Sequence, residues 1–162
     1  MSAASIEFQT LLAYNHSEAE RWHAFFVQHP ETLDIEVGGK MAKVRNLVAH
    51  IFEVESFFAS ELALPSGGSY VSLNADSLDE MFAKHEEAHG LVAEFLETAD
   101  EDRMQQMQSF PRRPEYKFSA RKLLIQFMWH GVNHWGQIAM LVRRAGIETG
   151  PPHDIILSSV LK

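Results

Sequence analysis

Residues 119–146 have the sequence SARKLLIQFMWHGVNHWGQIAMLVRRAG. Ser119 is a favoured N-cap residue, and Gly146 suits the left-handed position just past the end of a helix. Between them, apolar and histidine side chains recur in steps of three and four residues, the spacing of one helix face. This stripe consists of Leu123, Phe127, His130, His134, Gln137 and Leu141. The segment therefore predicts an amphipathic helix that directs two histidines towards the core.

Three earlier segments repeat the helical spacing of apolar residues. They cover about residues 5–29, 44–64 and 77–96. Ser77 and Glu80 form a capping box at the start of the third segment. Residues 100–118 contain two prolines, and we predict an irregular connection there. Four amphipathic helices and no convincing strand predict an all-α fold, a four-helix bundle in which each apolar face is covered by another helix.

The length and composition indicate a single domain spanning residues 1–162. A chain of 162 residues can bury a core without disulfides, and 46% hydrophobic with 22% charged residues is typical of a globular protein. No apolar run approaches the roughly 20 residues that cross a bilayer. Residues 1–7 lack the basic leader and apolar core of a secretory signal. We therefore expect a cytoplasmic protein that does not enter a membrane.

The charge balance and the absence of cysteine narrow the chemistry. The 22 acidic and 14 basic residues give a net charge of −8, which repels a phosphate backbone, so we expect no nucleic-acid partner. Without cysteine the chain has no disulfide framework, no thiolate nucleophile of its own and no thiolate-based zinc site. Any metal must therefore be held by nitrogen and oxygen ligands.

His50, His130 and His134 lie where apolar side chains are expected. His130 and His134 stack one turn apart, about 6 Å along the helix axis, which lets their imidazoles converge on one ion. In the second predicted helix His50 lies on the apolar stripe, and a bundle can bring this face against the fourth helix. Three neutral imidazoles leave a position for water or substrate, the arrangement of a catalytic metal site. Nitrogen ligation suits Zn, Ni, Cu or Fe.

Three alternatives to this metal site come from the same sequence. His85 and His89 form an equally spaced pair on the third predicted helix, in a more charged stretch where partial exposure is easier to imagine, and the spacing alone does not choose between the pairs. A di-iron carboxylate site is excluded, because residues 121–145 contain no Asp or Glu. Each histidine can also be a buried side chain bonded to a backbone carbonyl or to water.

Three short motifs carry a family resemblance. They are Tyr14-Asn15, then Val44-Arg45-Asn46-Leu47-Val48-Ala49-His50, and finally His134-Trp135-Gly136-Gln137-Ile138 followed by Leu141 and Gly146. In combination they resemble the DinB-like (DinB/YfiT) family of four-helix bundles over nearly the whole chain. The corresponding histidines of that family bind a divalent metal, so the resemblance selects His50, His130 and His134. Trp135 stands where many members have arginine, a departure that we expect to affect the helix surface more than metal ligation.

The resemblance also implies a function. Relatives include transferases and isomerases that use the metal to activate a low-molecular-weight thiol such as mycothiol or bacillithiol. We therefore expect a metal-dependent enzyme acting on small molecules, either a thiol S-transferase or isomerase or a hydrolase that activates water. Zn or Ni is expected first, with Fe or Cu as further options, and the protein is expected to be a homodimer. The alternative is a non-catalytic bundle that binds or senses a metal or ligand.

Three polar residues are candidates for a catalytic or positioning role. Asn15 and Gln137 occupy core positions of the first and fourth predicted helices, where they can orient a ligand or a water molecule. Hydrogen bonding within the core is the alternative for both. Glu53 follows His50 by one turn and is a candidate general base or partner of a metal ligand, although most such glutamates are exposed.

Overall fold

The computed structural model describes residues 3–63, 69–110, 113–150 and 153–160, with side chains from residue 7 onward. The helices and strands of these residues are α1 (Ala3–Gln28), α2 (Val44–Ala63), α3 (Leu78–Thr98), α4 (Glu101–Gln105), β1 (Met107–Phe110), β2 (Arg113–Ser119) and α5 (Ala120–Arg144). The four long helices coincide with the four predicted segments, which confirms the all-α fold class. The predicted end of the second helix, at residue 64, lies outside the described residues. None of the described helices is long and apolar enough to cross a membrane.

The ends of the long helices follow the predicted capping chemistry. The Ser77 hydroxyl accepts a hydrogen bond from the Glu80 amide at 3.3 Å, and the Ser119 hydroxyl accepts one from the Lys122 amide at 3.2 Å. Each bond satisfies an amide that has no partner within its own helix. Gly146 has a φ of 81°, so the chain leaves α5 through a left-handed residue. Local sequence therefore determines where α3 and α5 begin and where α5 ends.

The core lies where α2 packs against both α3 and α5, and α1 covers α3 and α5 from a further side. The helical spacing predicted over residues 5–29 places five side chains of α1 on one apolar stripe, and all are buried: Phe8, Leu12, Ala19, Trp22 and Phe26. Trp22 and Phe26 of this stripe join residues of α2 and α5 in one cluster, in which the rings of Phe52 and Trp135 lie 5.8 Å apart. This packing brings the inner faces of the helices together and fixes the histidines relative to one another.

The connection between α3 and α5 is regular, so the prediction of an irregular segment is wrong. Asp100 caps α4 by accepting a hydrogen bond from the Arg103 amide at 2.8 Å. Strands β1 and β2 then pair antiparallel, and the rings of Phe110 and Phe118 lie 4.4 Å apart against the core. The two strands were not predicted, because they are short and because Pro114 interrupts the strand pattern. Proline is tolerated at this position because β2 is an edge strand.

Trp135 is buried rather than on the helix surface, which corrects a second expectation. Its ring stacks on Trp22 of α1 at 5.5 Å. The C-terminal segment lies against Trp22, with the His153 ring stacked on the Trp22 ring at 5.0 Å. His153 also bonds to the Glu18 carboxylate, and its carbonyl accepts a hydrogen bond from Tyr14 at 2.9 Å. Helix α5 faces α1 as well as α2. Trp135, the residue after His134, therefore points into the interface with α1.

Replacing Phe26 with alanine tests the inner face of α1. The Phe26 side chain is 0% exposed, whereas the neighbouring Val27 is 63% exposed. We expect Phe26→Ala to lower the free energy of unfolding by about 3–5 kcal/mol, the usual loss for a buried phenylalanine. Val27→Ala, the control, is expected to change it by less than about 0.5 kcal/mol. Equal losses for the two variants in urea titrations would contradict the orientation of α1.

Candidate metal centre

His50 of α2 meets His130 and His134 of α5 at the interface of the two helices. The ring centroid of His50 lies 5.1 Å from that of His130 and 5.2 Å from that of His134, and the centroids of the two α5 rings are 4.5 Å apart. Each ring offers a nitrogen, and these nitrogens all lie within 4.8 Å of one another. The three side chains are half-buried. The structure therefore brings together the three residues that the family resemblance selected.

The protonation of this cluster suits metal binding. Burial lowers the pKa of His130 to about 4, and the neighbouring His134 and His50 add to the effect. Burial and His134 also lower the pKa of His50, against a smaller opposing effect of Glu53. These imidazoles are therefore neutral near pH 7, with a lone pair free for an ion. The buried Nδ1 of His130 has no hydrogen-bond partner, and such an atom is costly unless something binds it. The three residues thus fit a divalent ion.

Gln137 orients His134. The Nδ1 of His134 lies 2.9 Å from the Gln137 side-chain oxygen. Because that oxygen only accepts, the hydrogen is on Nδ1 and the lone pair is on Nε2, the nitrogen left for an ion. Gln137 is exposed, so its expected core position is wrong. The residue nevertheless bonds to a proposed ligand, the positioning contact expected next to a metal site.

Glu53 holds a loop next to the centre. Its carboxylate accepts hydrogen bonds from the Leu73 amide at 2.8 Å, from Ser72 at 3.4 Å and from the Tyr70 hydroxyl. Burial and the bond to Glu53 raise the pKa of Tyr70 to about 12. The carboxylate is thus occupied with fixing residues 70–73 against α2, and it influences His50 through its charge.

Asn15 makes the hydrogen bond within the core that was the alternative to a positioning role. The side chain is buried, and its amide nitrogen donates to the Leu11 carbonyl at 3.1 Å within α1. Among the described residues it makes no hydrogen bond to His50, His130 or His134. Its place on the α1 stripe is therefore explained by bonding within its own helix.

The rival pair on α3 belongs to a separate cluster. His85 and His89 are 1% and 6% exposed, so their expected partial exposure is wrong. They meet His16 of α1, and nitrogens of the three rings lie within 4.8 Å of one another. Sequence reasoning missed His16, although it lies on the stripe of α1, four residues after Leu12 and three before Ala19. That spacing was the signal that could have found it.

A cavity of about 560 Å³ lies on another side of α5, between that helix, α1 and the C-terminal segment. Its walls include Glu18, Trp22, Trp135, Arg143 and His153, and none of the three histidines of the α2–α5 centre. The cavity is therefore separate from the candidate metal centre.

A helical bundle with three histidines converging from two of its helices defines a class of candidate metal-binding bundles. The chain belongs to the DinB family, whose model matches residues 1–156. The resemblance inferred from the three motifs is thereby confirmed. A comparison with curated proteins finds none that matches the chain.

Replacing Gln137 tests the orientation of His134. We expect Gln137→Ala to weaken divalent-metal binding at the centre by about 10- to 100-fold, because the ring loses the partner that fixes its tautomer. Gln126→Ala removes another exposed glutamine of α5 and is expected to leave the affinity unchanged. Calorimetric Zn²⁺ titrations measure both variants. Unchanged affinity in Gln137→Ala would show that the bond has no positioning role.

Proposed function

We propose that the protein is a divalent-metal-dependent enzyme that acts on small molecules and transfers or isomerises them with an external thiol. The convergence of His50, His130 and His134 on one point carries this proposal, and the lowered pKa values of His50 and His130 keep those two imidazoles neutral near pH 7. Membership in the DinB family agrees with it. Zn²⁺ and Ni²⁺ are the ions we propose first, with Fe²⁺ and Cu²⁺ next, since all four accept imidazole ligands.

The chain's own residues limit how such a reaction proceeds. A divalent ion held by three histidines supplies a Lewis acid that favours the anionic form of a thiol or of water. The nucleophile comes from outside the chain, because the chain has no cysteine. We propose a cytoplasmic location, where low-molecular-weight thiols are kept reduced.

The polar groups around the centre hold and shape it. Gln137 fixes the ring of His134, so the nitrogen used for binding is set before an ion arrives. Glu53 fixes Tyr70, an exposed aromatic side chain that we propose as a wall for the small-molecule substrate. Substrate recognition is thus assigned to the loop at residues 70–73, and metal binding to α2 and α5.

Metal analysis of protein purified without chelator tests the proposal. The double variant His130→Ala/His134→Ala is expected to lose one equivalent of divalent metal per chain, because two of three ligands are missing. His29→Ala, a half-buried histidine of neither cluster, is the control and is expected to retain the wild-type content. Unchanged metal content in the double variant would contradict the proposed centre.

A thiol titration of the Co²⁺-substituted protein separates the possible activities. Binding of a thiol at the centre is expected to change the visible absorption of Co²⁺, followed by thiol-dependent turnover across a panel of electrophilic substrates. Turnover that needs only water would instead indicate a hydrolase. Bound metal with no turnover would support the non-catalytic alternative, a bundle that binds or senses a metal or ligand.

We also propose that the protein is a homodimer that pairs through an apolar stripe on the outer face of α5. The stripe has helical spacing and consists of Ile125, Trp129, Val132 and Met140, all exposed. A tryptophan that is 61% exposed is unusual outside an interface, where aromatic side chains are enriched. A second copy of the chain would cover this stripe with an identical one across a twofold axis.

Introducing a charge into the stripe tests the dimer. We expect the wild type to be dimeric by light scattering at micromolar concentration and Trp129→Glu to be monomeric, since the charge would be buried without a partner. Val27→Glu places the same charge at an exposed apolar site of α1 and is expected to leave the dimer intact. A monomeric wild type would refute the dimer, and a dimeric Trp129→Glu would refute this interface.

A further inference from the structure

A second group of histidines joins α1 to α3. The ring centroids of His85 and His89 lie 4.0 Å apart. The ring centroid of His16 lies 5.6 Å from that of His85 and 5.8 Å from that of His89. The Nδ1 of His16 is 3.4 Å from the Nε2 of His85. Nitrogens of all three rings lie within 4.8 Å of one another. This spacing matches that of the α2–α5 centre.

A buried carboxylate orients the first of these rings. The Nδ1 of His85 lies 2.9 Å from the Glu55 carboxylate, and both side chains are almost fully buried. Since a carboxylate accepts, Nδ1 donates to Glu55, which leaves Nε2, the nitrogen that faces His16, to bind an ion. A carboxylate bonded to the far nitrogen of a histidine is the usual outer partner of a metal-ligating imidazole.

His89 is a buried ring whose nitrogens have no hydrogen-bond partner among the described residues. The side chain is 6% exposed, and neither ring nitrogen makes a hydrogen bond. Buried polar atoms are almost always bonded, so two unbonded nitrogens on one ring require an explanation. Burial lowers the pKa of His89 to about 2, with smaller effects of His85 and His16, so the ring is neutral and has a free lone pair. An ion between the three rings would bond to it.

We propose that His16, His85 and His89 bind a second divalent transition-metal ion, one that prefers imidazole nitrogen, and that this ion links α1 to α3. The proposal concerns residues outside the α2–α5 centre and does not depend on the proposed function. Three imidazoles from two helices suit Zn²⁺, Co²⁺, Ni²⁺ or Cu²⁺.

The surroundings of the cluster give a cation access. A cavity of about 380 Å³ between α1 and α3 is lined by His85 together with the acidic residues Glu20, Asp79 and Glu86. Carboxylates of Glu20 and Glu86 lie 3.8 and 3.6 Å from nitrogens of His16. Negative groups at the mouth of a cavity raise the local concentration of cations. The cavity thus leads from solvent to His85, the one ring of the three that lines it.

A Co²⁺ titration in a protein without the first centre tests this site directly. The variant His130→Ala/His134→Ala is expected to bind one equivalent of Co²⁺ with visible absorption bands, and the wild type two. Adding His16→Ala is expected to abolish the remaining equivalent, because a ligand is lost. Adding His29→Ala instead, as the matched control, is expected to keep it. His16 is half-buried, so its removal spares the core, and circular dichroism checks the fold.

The outcomes separate this site from the first centre. No Co²⁺ binding by the folded His130→Ala/His134→Ala protein, or binding that survives His16→Ala, would overturn the second site. Failure of the first centre gives a different result. The wild type and the His130→Ala/His134→Ala variant would then bind the same number of Co²⁺ equivalents. Glu55→Gln, measured in the same background, is expected to weaken Co²⁺ binding by about 10- to 100-fold, the usual effect of losing an outer carboxylate.

Discussion

The close approach of the Glu55 carboxylate to Gly131 governs how α2 and α5 fit together. A Cβ at position 131 would lie 3.0 Å from an oxygen of Glu55, a distance tighter than most side-chain contacts. Glycine between His130 and His134 therefore lets a buried carboxylate of α2 sit against the backbone of α5. The other oxygen of the same carboxylate lies 2.9 Å from His85 of α3. One buried acid thus touches both helices that pack on α2.

Helix α2 contributes to both histidine clusters from different faces. His50 and Glu55 are five residues apart, so their side chains point about 140° apart around a helix with 3.6 residues per turn. One face meets α5, where His50 joins His130 and His134. The other meets α3, where Glu55 orients His85. A shift of α2 along its axis would disturb both clusters together, because the core packs α2 between these two helices.

The sequence predicted the elements better than it predicted the side chains at their interfaces. Periodicity and capping placed the long helices, because burial on one face and amide satisfaction are local properties. Which helix packs against each face depends on the tertiary structure, so His16 was missed until the structure placed α1 against α3. Trp135 was misplaced because one stripe was assigned to α5, although the helix packs against two neighbours. Choosing His50, His130 and His134 over His85 and His89 relied on the family resemblance, and both sets prove to be clustered.

The ring stack at Trp22 makes the docking of the C-terminal segment optically visible. The Trp22 ring stacks on Trp135 and on His153, at centroid distances of 5.5 and 5.0 Å. An imidazole stacked on an indole quenches its emission, most strongly when protonated. The buried tryptophan pair therefore emits according to whether His153 is in place. The bundle thus carries an intrinsic fluorescent reporter of its own C-terminal segment.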